Sequence, residues 1–297
     1  MTTTITVRAA AKVNLHLGVG APRPDGFHPL DTVYQAVSLY DDVRVRPAGS
    51  WSLDLTAAAH VAATDVPLDG RNIVTRAADL LGVEAEVSIH KEIPAAGGMA
   101  GGSADAAAAL VALDRLHDLQ TSDARLLELA AELGSDVPFA LVGGTARGTG
   151  RGEQVAPVDD AGSWWWVVVP SGTGLSTPEV YARFDALRPD AAAEPASPDR
   201  LLAALASGEP AALAAALRND LEPAALDLRP ELRDVLEAGE AAGALRGLVS
   251  GSGPTCVFLC SDGPGAREVA VALRSAYDVV LTAHGPVAGA HVMTEAG

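Results

Sequence analysis

An α+β fold in two lobes is what this 297-residue sequence predicts. Three observations lead there. Strand-like and helix-like segments interleave without the regular alternation that builds a doubly wound parallel sheet. The first half is rich in strands and the second in helices. A polar, glycine-containing connector at 158–163 separates them, which places the lobes at residues 1–160 and 161–297, each long enough for its own core.

The elements follow in order. Residues 5–20 alternate as a first strand, interrupted by small residues at Ala9 to Ala11. Pro24-Asp25-Gly26 signals a turn, and Asp31 to Val45 and Trp51 to Leu55 read as further strands. Asn72 to Leu81 has helical spacing (Ile73, Ala77, Leu80, Leu81), and Glu86 to Ile93 returns to a strand. Helices are predicted over 104–119, with Ser103 and Asp105 offering capping oxygens, and over 122–133, with Gly134 closing the second. Arg147 to Gly152 lies in a glycine-rich hairpin. Trp164 to Val169 opens the second lobe as a strand; its three consecutive tryptophans cannot form one stacking platform, because neighbours on a strand face opposite sides. Helices over 178–187, 198–206, 210–217 and 228–242 each begin at or near a proline. Strands at 247–250 and 255–260 flank Gly251-Ser252-Gly253, and a helix over 266–277 precedes a closing strand at 278–282.

Pro94 to Leu110, P-A-A-G-G-M-A-G-G-S-A-D-A-A-A-A-L, is the most informative run. Four glycines in six positions let the backbone approach a ligand closely, and the Ala-rich stretch behind them is a strong helix former. A glycine loop feeding a helix N-terminus is a ready anion site, because unpaired N–H groups and the helix dipole point at the ligand. Phosphate is the obvious anion. Two familiar phosphate loops do not fit: Gly102 is followed by Ser103 and Ala104 rather than Lys and Ser/Thr, and Met99 stands where the dinucleotide fingerprint needs its second glycine.

Composition narrows the partners. The net charge is −17, which argues against nucleic acid or an acidic membrane surface, so phosphate must be held by local donors, dipoles and a bound cation. No run of about 18 uninterrupted apolar residues occurs, and M-T-T-T-I-T-V-R lacks the layout of a signal peptide; we expect a cytoplasmic protein. Cys256 and Cys260, about 13 Å apart along a strand, are too distant for a disulfide and read as buried thiols. The histidines form no zinc motif. Only Lys12 and Lys91 are lysines, and a compact, tunable ammonium does chemistry that a guanidinium cannot.

Three further segments could carry chemistry. Lys12 and Asn14 point to one face of a strand, either exposed or lining a site. Asp136, in G-S-D-V-P-F, follows a helix end and precedes an apolar segment, suiting it to helix capping or to work as a general base. Ser250 to Pro254 is a second small-residue loop that lines a site or turns the chain.

Taken together, A-A-K-V-N (10–14), P-A-A-G-G-M-A-G-G-S-A-D (94–105), G-S-D-V-P-F (134–139) and S-G-S-G-P-T (250–255), in this order, resemble the three motifs of the GHMP kinases, a family of ATP-dependent small-molecule kinases. R-P-D-G-F-H-P-L-D-T-V-Y-Q-A-V (23–37), D-G-R-N-I-V-T-R-A-A (69–78) and L-S-T-P-E-V-Y (175–181) extend the resemblance to members acting on a cytidine diphosphate-linked methylerythritol.

The resemblance implies a two-domain fold, with an N-terminal ATP-binding domain and a C-terminal, substrate-side α/β-plait domain. It implies phosphoryl transfer from ATP, with Mg²⁺, to the 2-hydroxyl of that substrate, in isoprenoid precursor synthesis by the non-mevalonate pathway. Asp136 matches the catalytic aspartate and Lys12 the lysine beside it. Pro94, Ala95, Ala96, Gly97, Gly98, Met99, Ala100, Gly101, Gly102, Ser103 and Ala104 match the ATP-phosphate loop, with Ser103 placed to touch phosphate or Mg²⁺, and Asn72 falls near the adenine end. Asn14, His28 and Thr177 match substrate contacts, and Phe27 and Tyr181 the two aromatics that sandwich the cytosine. Ala96, Met99 and Ala100 stand where Gly, Leu and Gly are frequent, so ordinary φ values and a stiffer loop are expected at both alanines. Other readings are a mevalonate, homoserine or galactose kinase, the related decarboxylase, or a non-catalytic nucleotide-binding protein. The resemblance leaves the oligomeric state, monomer or homodimer, open.

Overall fold

A computed structural model describes residues 4–62, 66–95 and 97–293 of the chain. Its largest sheet grows from one long antiparallel pair, β1 (Ile5–Val19) and β2 (Leu30–Arg46). Ala9 to Ala11 do not interrupt β1; the register shifts between Ala10 and Ala11 and again between Asn14 and His16, so the strand bends and continues. β3 (Ser52–Ala57) runs parallel to β4 (Glu86–Lys91), which pairs with the far half of β2. β5 (Thr145–Gly150) takes the near half of β2 and turns into β6 (Gln154–Pro157).

Four helices cover this sheet: α1 (Ile73–Leu81), α2 (Gly101–His117), α3 (Asp123–Leu133) and α4 (Val137–Val142). α2 is the central one. Ala104, Ala106 to Ala109 and Ala112 are fully buried, and their small side chains let the helix lie close to β1, β2 and its three neighbours. Ser122 caps α3, accepting the Arg125 N–H at 3.3 Å.

β7 (Trp164–Val169) starts the second sheet. Then follow α5 (Thr177–Leu187), α6 (Asp199–Ser207), α7 (Pro210–Ala216), β8 (Arg218–Asn219), α8 (Glu222–Leu228) and α9 (Glu231–Ala241). β9 (Arg246–Val249), β10 (Cys256–Cys260), α10 (Gly263–Leu273), β11 (Leu281–Gly285) and β12 (His291–Val292) complete the described chain. The second sheet has the order β11-β7-β10-β9 and is antiparallel throughout. β8 and β12, both from the second half, pair instead with β1 of the first sheet.

Trp164 and Trp166 are buried while Trp165 faces the other side, its ring 5.3 Å from His284. Trp166 donates its indole N–H to Gln35 Oε1 at 3.0 Å, which ties the second sheet to β2. Cys256 and Cys260 are buried and free, and burial pushes both thiols up to about 12. Among the described residues no helix is long and apolar enough to cross a membrane.

Several predicted boundaries need correction: the helix expected over 266–277 is α10, Gly263–Leu273, and the strand expected at 278–282 is β11, Leu281–Gly285. The segment 228–242 is not one helix: Arg229, which precedes Pro230, leaves the helical region (φ −134°, ψ 75°), so α8 ends at Leu228 and α9 begins at Glu231. α2 starts at Gly101, three residues before the Ala-rich stretch, so Ser103 and Asp105 lie inside its first turns and neither caps it.

Candidate active site

The two small-residue loops meet. Gly97 and Gly98 have φ of 111° and 88°, and each presses its backbone against the 250–254 loop. A Cβ at Gly98 would stand 2.4 Å from the Ser250 carbonyl oxygen, so no other residue fits there. Ser250 Oγ donates to the Gly98 carbonyl at 2.8 Å, and Thr255 Oγ1 to that of Gly97 at 2.7 Å. The second loop therefore supports the first as well as turning the chain.

Ala100 is where the loop becomes helix. Its φ is 57°, contrary to the expectation of ordinary values, and left-handed alanine costs about 1–2 kcal/mol. The bend aims the start of α2 into a cavity of about 990 Å³. No side chain caps that helix end, and Gly101, Gly102 and Ser103 line the cavity, so the first N–H groups of α2 are available to an anion. Pro94, Ala95, Gly97, Gly98 and Ala100 line it too. Met99 and Ala104 do not: both side chains are fully buried in the core, although the Met99 carbonyl accepts the Lys12 N–H at 3.1 Å. Ala96 lies outside the described residues.

Behind the loop sits a buried ionic cluster. The Lys91 ammonium donates to Asp41 Oδ2 at 2.6 Å and to Asp105 Oδ2 at 2.5 Å, and Asp41 Oδ1 accepts the N–H groups of Glu92 and Ile93. This lysine joins the end of β4 to the first turns of α2, bracketing the loop. Burial pushes the Lys91 ammonium down, but the two carboxylates outweigh it and its value is raised.

Lys91 and Asp105 touch the cavity wall, and so does the other lysine, Lys12. Lys12 Nζ donates to Asn14 Oδ1 at 2.5 Å and lies 3.8 Å from Asp136 Oδ2. Asn14 passes the chain of bonds on, donating to Thr32 Oγ1 at 2.9 Å. Burial pushes the Lys12 ammonium below its ordinary value, and the Asp136 carboxylate partly opposes that. Asp136 stands at the N-cap position of α4, yet its side chain makes no capping bond. Its carboxylate instead faces Lys12 and accepts from the Tyr34 hydroxyl at 3.2 Å.

The same cavity has an aromatic mouth. Phe27 is half exposed, with the Arg151 guanidinium 4.8 Å over its ring. Tyr181 packs on His28 with ring centroids 4.9 Å apart, and Thr177 Oγ1 lies 2.8 Å from Ser252 Oγ. His28 is buried; its Nδ1 donates to the Gly20 carbonyl at 2.8 Å, which leaves Nε2 3.6 Å from Asp185. Asn72 lines the cavity while capping α1, accepting the Val74 N–H at 2.8 Å. Apart from Ala96, Met99 and Ala104, every predicted site residue lines this one cavity. The sequence reading missed Tyr34, Arg151 and Asp185, which line it as well. Tyr34 stands opposite Asn14 across β1 and β2.

Known proteins match along most of the chain. The GHMP kinases N terminal domain matches residues 72–144, and the GHMP kinases C terminal domain residues 201–279. The 4-diphosphocytidyl-2-C-methyl-D-erythritol kinase of Nocardioides sp. is 66% identical, over 98% of this chain and 100% of its own length. That of Thermobifida fusca is 55% identical, over 98% and 99%. Among solved structures, a 4-(cytidine 5′-diphospho)-2C-methyl-D-erythritol kinase aligns with a TM-score of 0.76 at 35% identity, covering 94% of this chain and 98% of that one. The homoserine kinase of Cytophaga hutchinsonii, at 20% identity and a TM-score of 0.70, covering 98% and 97%, shares the fold.

Proposed function

The chain belongs to the GHMP kinases, and on that footing we propose that it transfers the γ-phosphoryl group of ATP to the 2-hydroxyl of 4-diphosphocytidyl-2-C-methyl-D-erythritol. The products are the 2-phosphate and ADP, on the non-mevalonate route to isoprenoid precursors. One observation carries the reading: an ammonium and a carboxylate 3.8 Å apart, Lys12 and Asp136, share a single cavity with an uncapped helix N-terminus and an aromatic mouth.

Each part has a task. The N–H groups at the start of α2 hold the phosphates of ATP, as helix N-termini do for anions. Asn72 lies toward the adenine end. Phe27 and Tyr181 take the cytosine between them, with His28 and Thr177 beside them and Asn14 near the reacting end. Asp136 accepts the proton of the attacking hydroxyl, and Lys12 pairs with that carboxylate and offsets charge on the transferring group. Little covalent chemistry is asked of the protein; positioning and electrostatics supply the rate.

Among the described residues, no three His, Cys, Asp or Glu side chains converge on a metal position. A divalent cation therefore would not sit in an all-protein cage. Mg²⁺ ordinarily keeps several waters and binds through substrate phosphates and one or two protein oxygens, and the Ser103 hydroxyl on the cavity wall fits that mode. Bound with the nucleotide, the cation neutralises phosphate charge.

The deciding experiment is a coupled ADP-release assay offering 4-diphosphocytidyl-2-C-methyl-D-erythritol, mevalonate, homoserine and galactose in turn. Turnover with the first alone is the expected result; turnover with another, or with none, removes the reading. The clamp has its own test. Tyr181→Ala raises KM for the cytidine substrate about 10- to 100-fold, the equivalent of about 1–3 kcal/mol of lost stacking, with KM for ATP unchanged. An unaltered KM would show that Tyr181 holds no base.

A further inference from the structure

Tyr34 has more built around it than its ring requires. The ring stacks on Phe139 of α4 with centroids 4.8 Å apart and is almost fully buried. Two glycines vacate the space it fills: a Cβ at Gly148 would lie 2.6 Å from Tyr34 Cε2, and one at Gly152 would lie 2.3 Å from the hydroxyl oxygen. A phenylalanine would satisfy the stacking. A buried hydroxyl, by contrast, costs free energy unless it finds an acceptor. The nearer of its two acceptors is Asp136 Oδ1, at 3.2 Å; the Gly152 carbonyl is at 3.5 Å.

We propose that Tyr34 is a positioning residue for the phosphoryl transfer: its hydroxyl holds Oδ1 of Asp136, so that Oδ2, beside Lys12, is the oxygen presented to the substrate hydroxyl. The inference rests on Asp136 being the proton acceptor. The stacked Phe139 is three residues beyond Asp136 on α4, so the same side chain fixes both the helix and the carboxylate that begins it. Burial, reinforced by the Asp136 charge, raises the phenol well above its ordinary value, so it stays a donor over the working pH range. The ionisable groups facing this pair are Lys12 from β1, Glu153 from the β5–β6 turn and Tyr181 from α5, with Arg151 on the same cavity wall.

A hydrogen bond to a carboxylate favours its charged form, so weakening it moves the acidic limb of the rate profile to higher pH. The test compares Tyr34→Phe, 3-fluorotyrosine introduced at position 34, and Asp136→Asn, each in the full chain. kcat and KM for both substrates are measured from about pH 5 to 9, and folding is checked by thermal unfolding. Tyr34→Phe, which keeps the ring and its stacking, lowers kcat about tenfold, leaves KM for ATP within about twofold, and moves the acidic limb of kcat/KM to higher pH. The fluorinated phenol, a stronger donor, moves that limb the other way. A limb that stays in place in both variants overturns the proposal, even if the rate falls, because lost packing alone does not shift a titration. Wild-type turnover in Asp136→Asn would overturn the acceptor reading itself, and this proposal with it.

Discussion

Asp136→Asn lowers kcat at least about 10³-fold, equivalent to about 4 kcal/mol of transition-state stabilisation, while ATP binding stays within a few-fold of wild type. The carboxamide keeps the size of the side chain and can still accept from Tyr34 through its oxygen, so the start of α4 has no reason to move. What it cannot do is take a proton from the attacking hydroxyl. It also leaves Lys12 without the carboxylate 3.8 Å away, and burial already pushes that ammonium toward its neutral form. In the proposed binding mode the ATP phosphates meet the N–H groups at the start of α2 and not Asp136, which is why affinity survives when turnover does not. Single-turnover kinetics together with nucleotide titration separate the two effects. Turnover above about a tenth of wild type would remove the base assignment, since a general base is worth far more than that.

Periodicity and turn chemistry made most of the fold legible. The alternation of residues 5–20 and 31–45 became β1 and β2, and the alternating burial of Trp164, Trp165 and Trp166 followed from strand geometry alone. The gaps have a local cause. α8 is one of the shortest helices and its apolar residues, Ala224, Ala225, Leu226 and Leu228, are too few to show a period, so the sequence reading passed over it and caught only Leu228, at the start of the 228–242 segment. β8 and β12 have only two residues each and exist because β1 offers them a place to pair.

The lining of the candidate site was legible wherever it is written into short motifs, as in the glycine loop and in Lys12, Asn14 and Asp136. Tyr34 escaped for a reason of register. Its contact with Asp136 depends on where β2 lies against β1 and α4, and two register shifts in β1 sit between the sequence and that answer. The alanine at 100 misled in a different way. Tertiary contacts, with the loop pinned at Gly97 and Gly98 by the 250–254 loop, force a left-handed turn that alanine by itself avoids.

The largest effect on stability is expected at the other lysine. Lys91→Met removes the single cation shared by Asp41 and Asp105 and costs about 3–5 kcal/mol of unfolding free energy at neutral pH, the range found when one partner of a buried ion pair is deleted. All three groups are at least 97% buried, so water is a poor replacement for the ammonium. The sign of the pH dependence follows from Asp105. Burial raises its carboxyl well above the ordinary value, with Lys91 opposing and Asp41 adding, and Oδ1 has no hydrogen-bond partner. A group raised on folding contributes full stability below its unfolded value, about 3.9, and loses that contribution as pH rises through its folded value. Taking away Lys91 removes the one group holding the carboxyl down, so the loss deepens with pH: Lys91→Met is more destabilised at about pH 8 than at about pH 5. Asp105→Asn leaves one ammonium facing one carboxylate, flattens the pH dependence in the wild-type background, and recovers part of the loss in Lys91→Met. Urea unfolding of the four proteins at both pH values measures all of this. A Lys91→Met protein within about 1 kcal/mol of wild type, or one that fares better at the higher pH, would mean that the cluster does not tie β4 to α2.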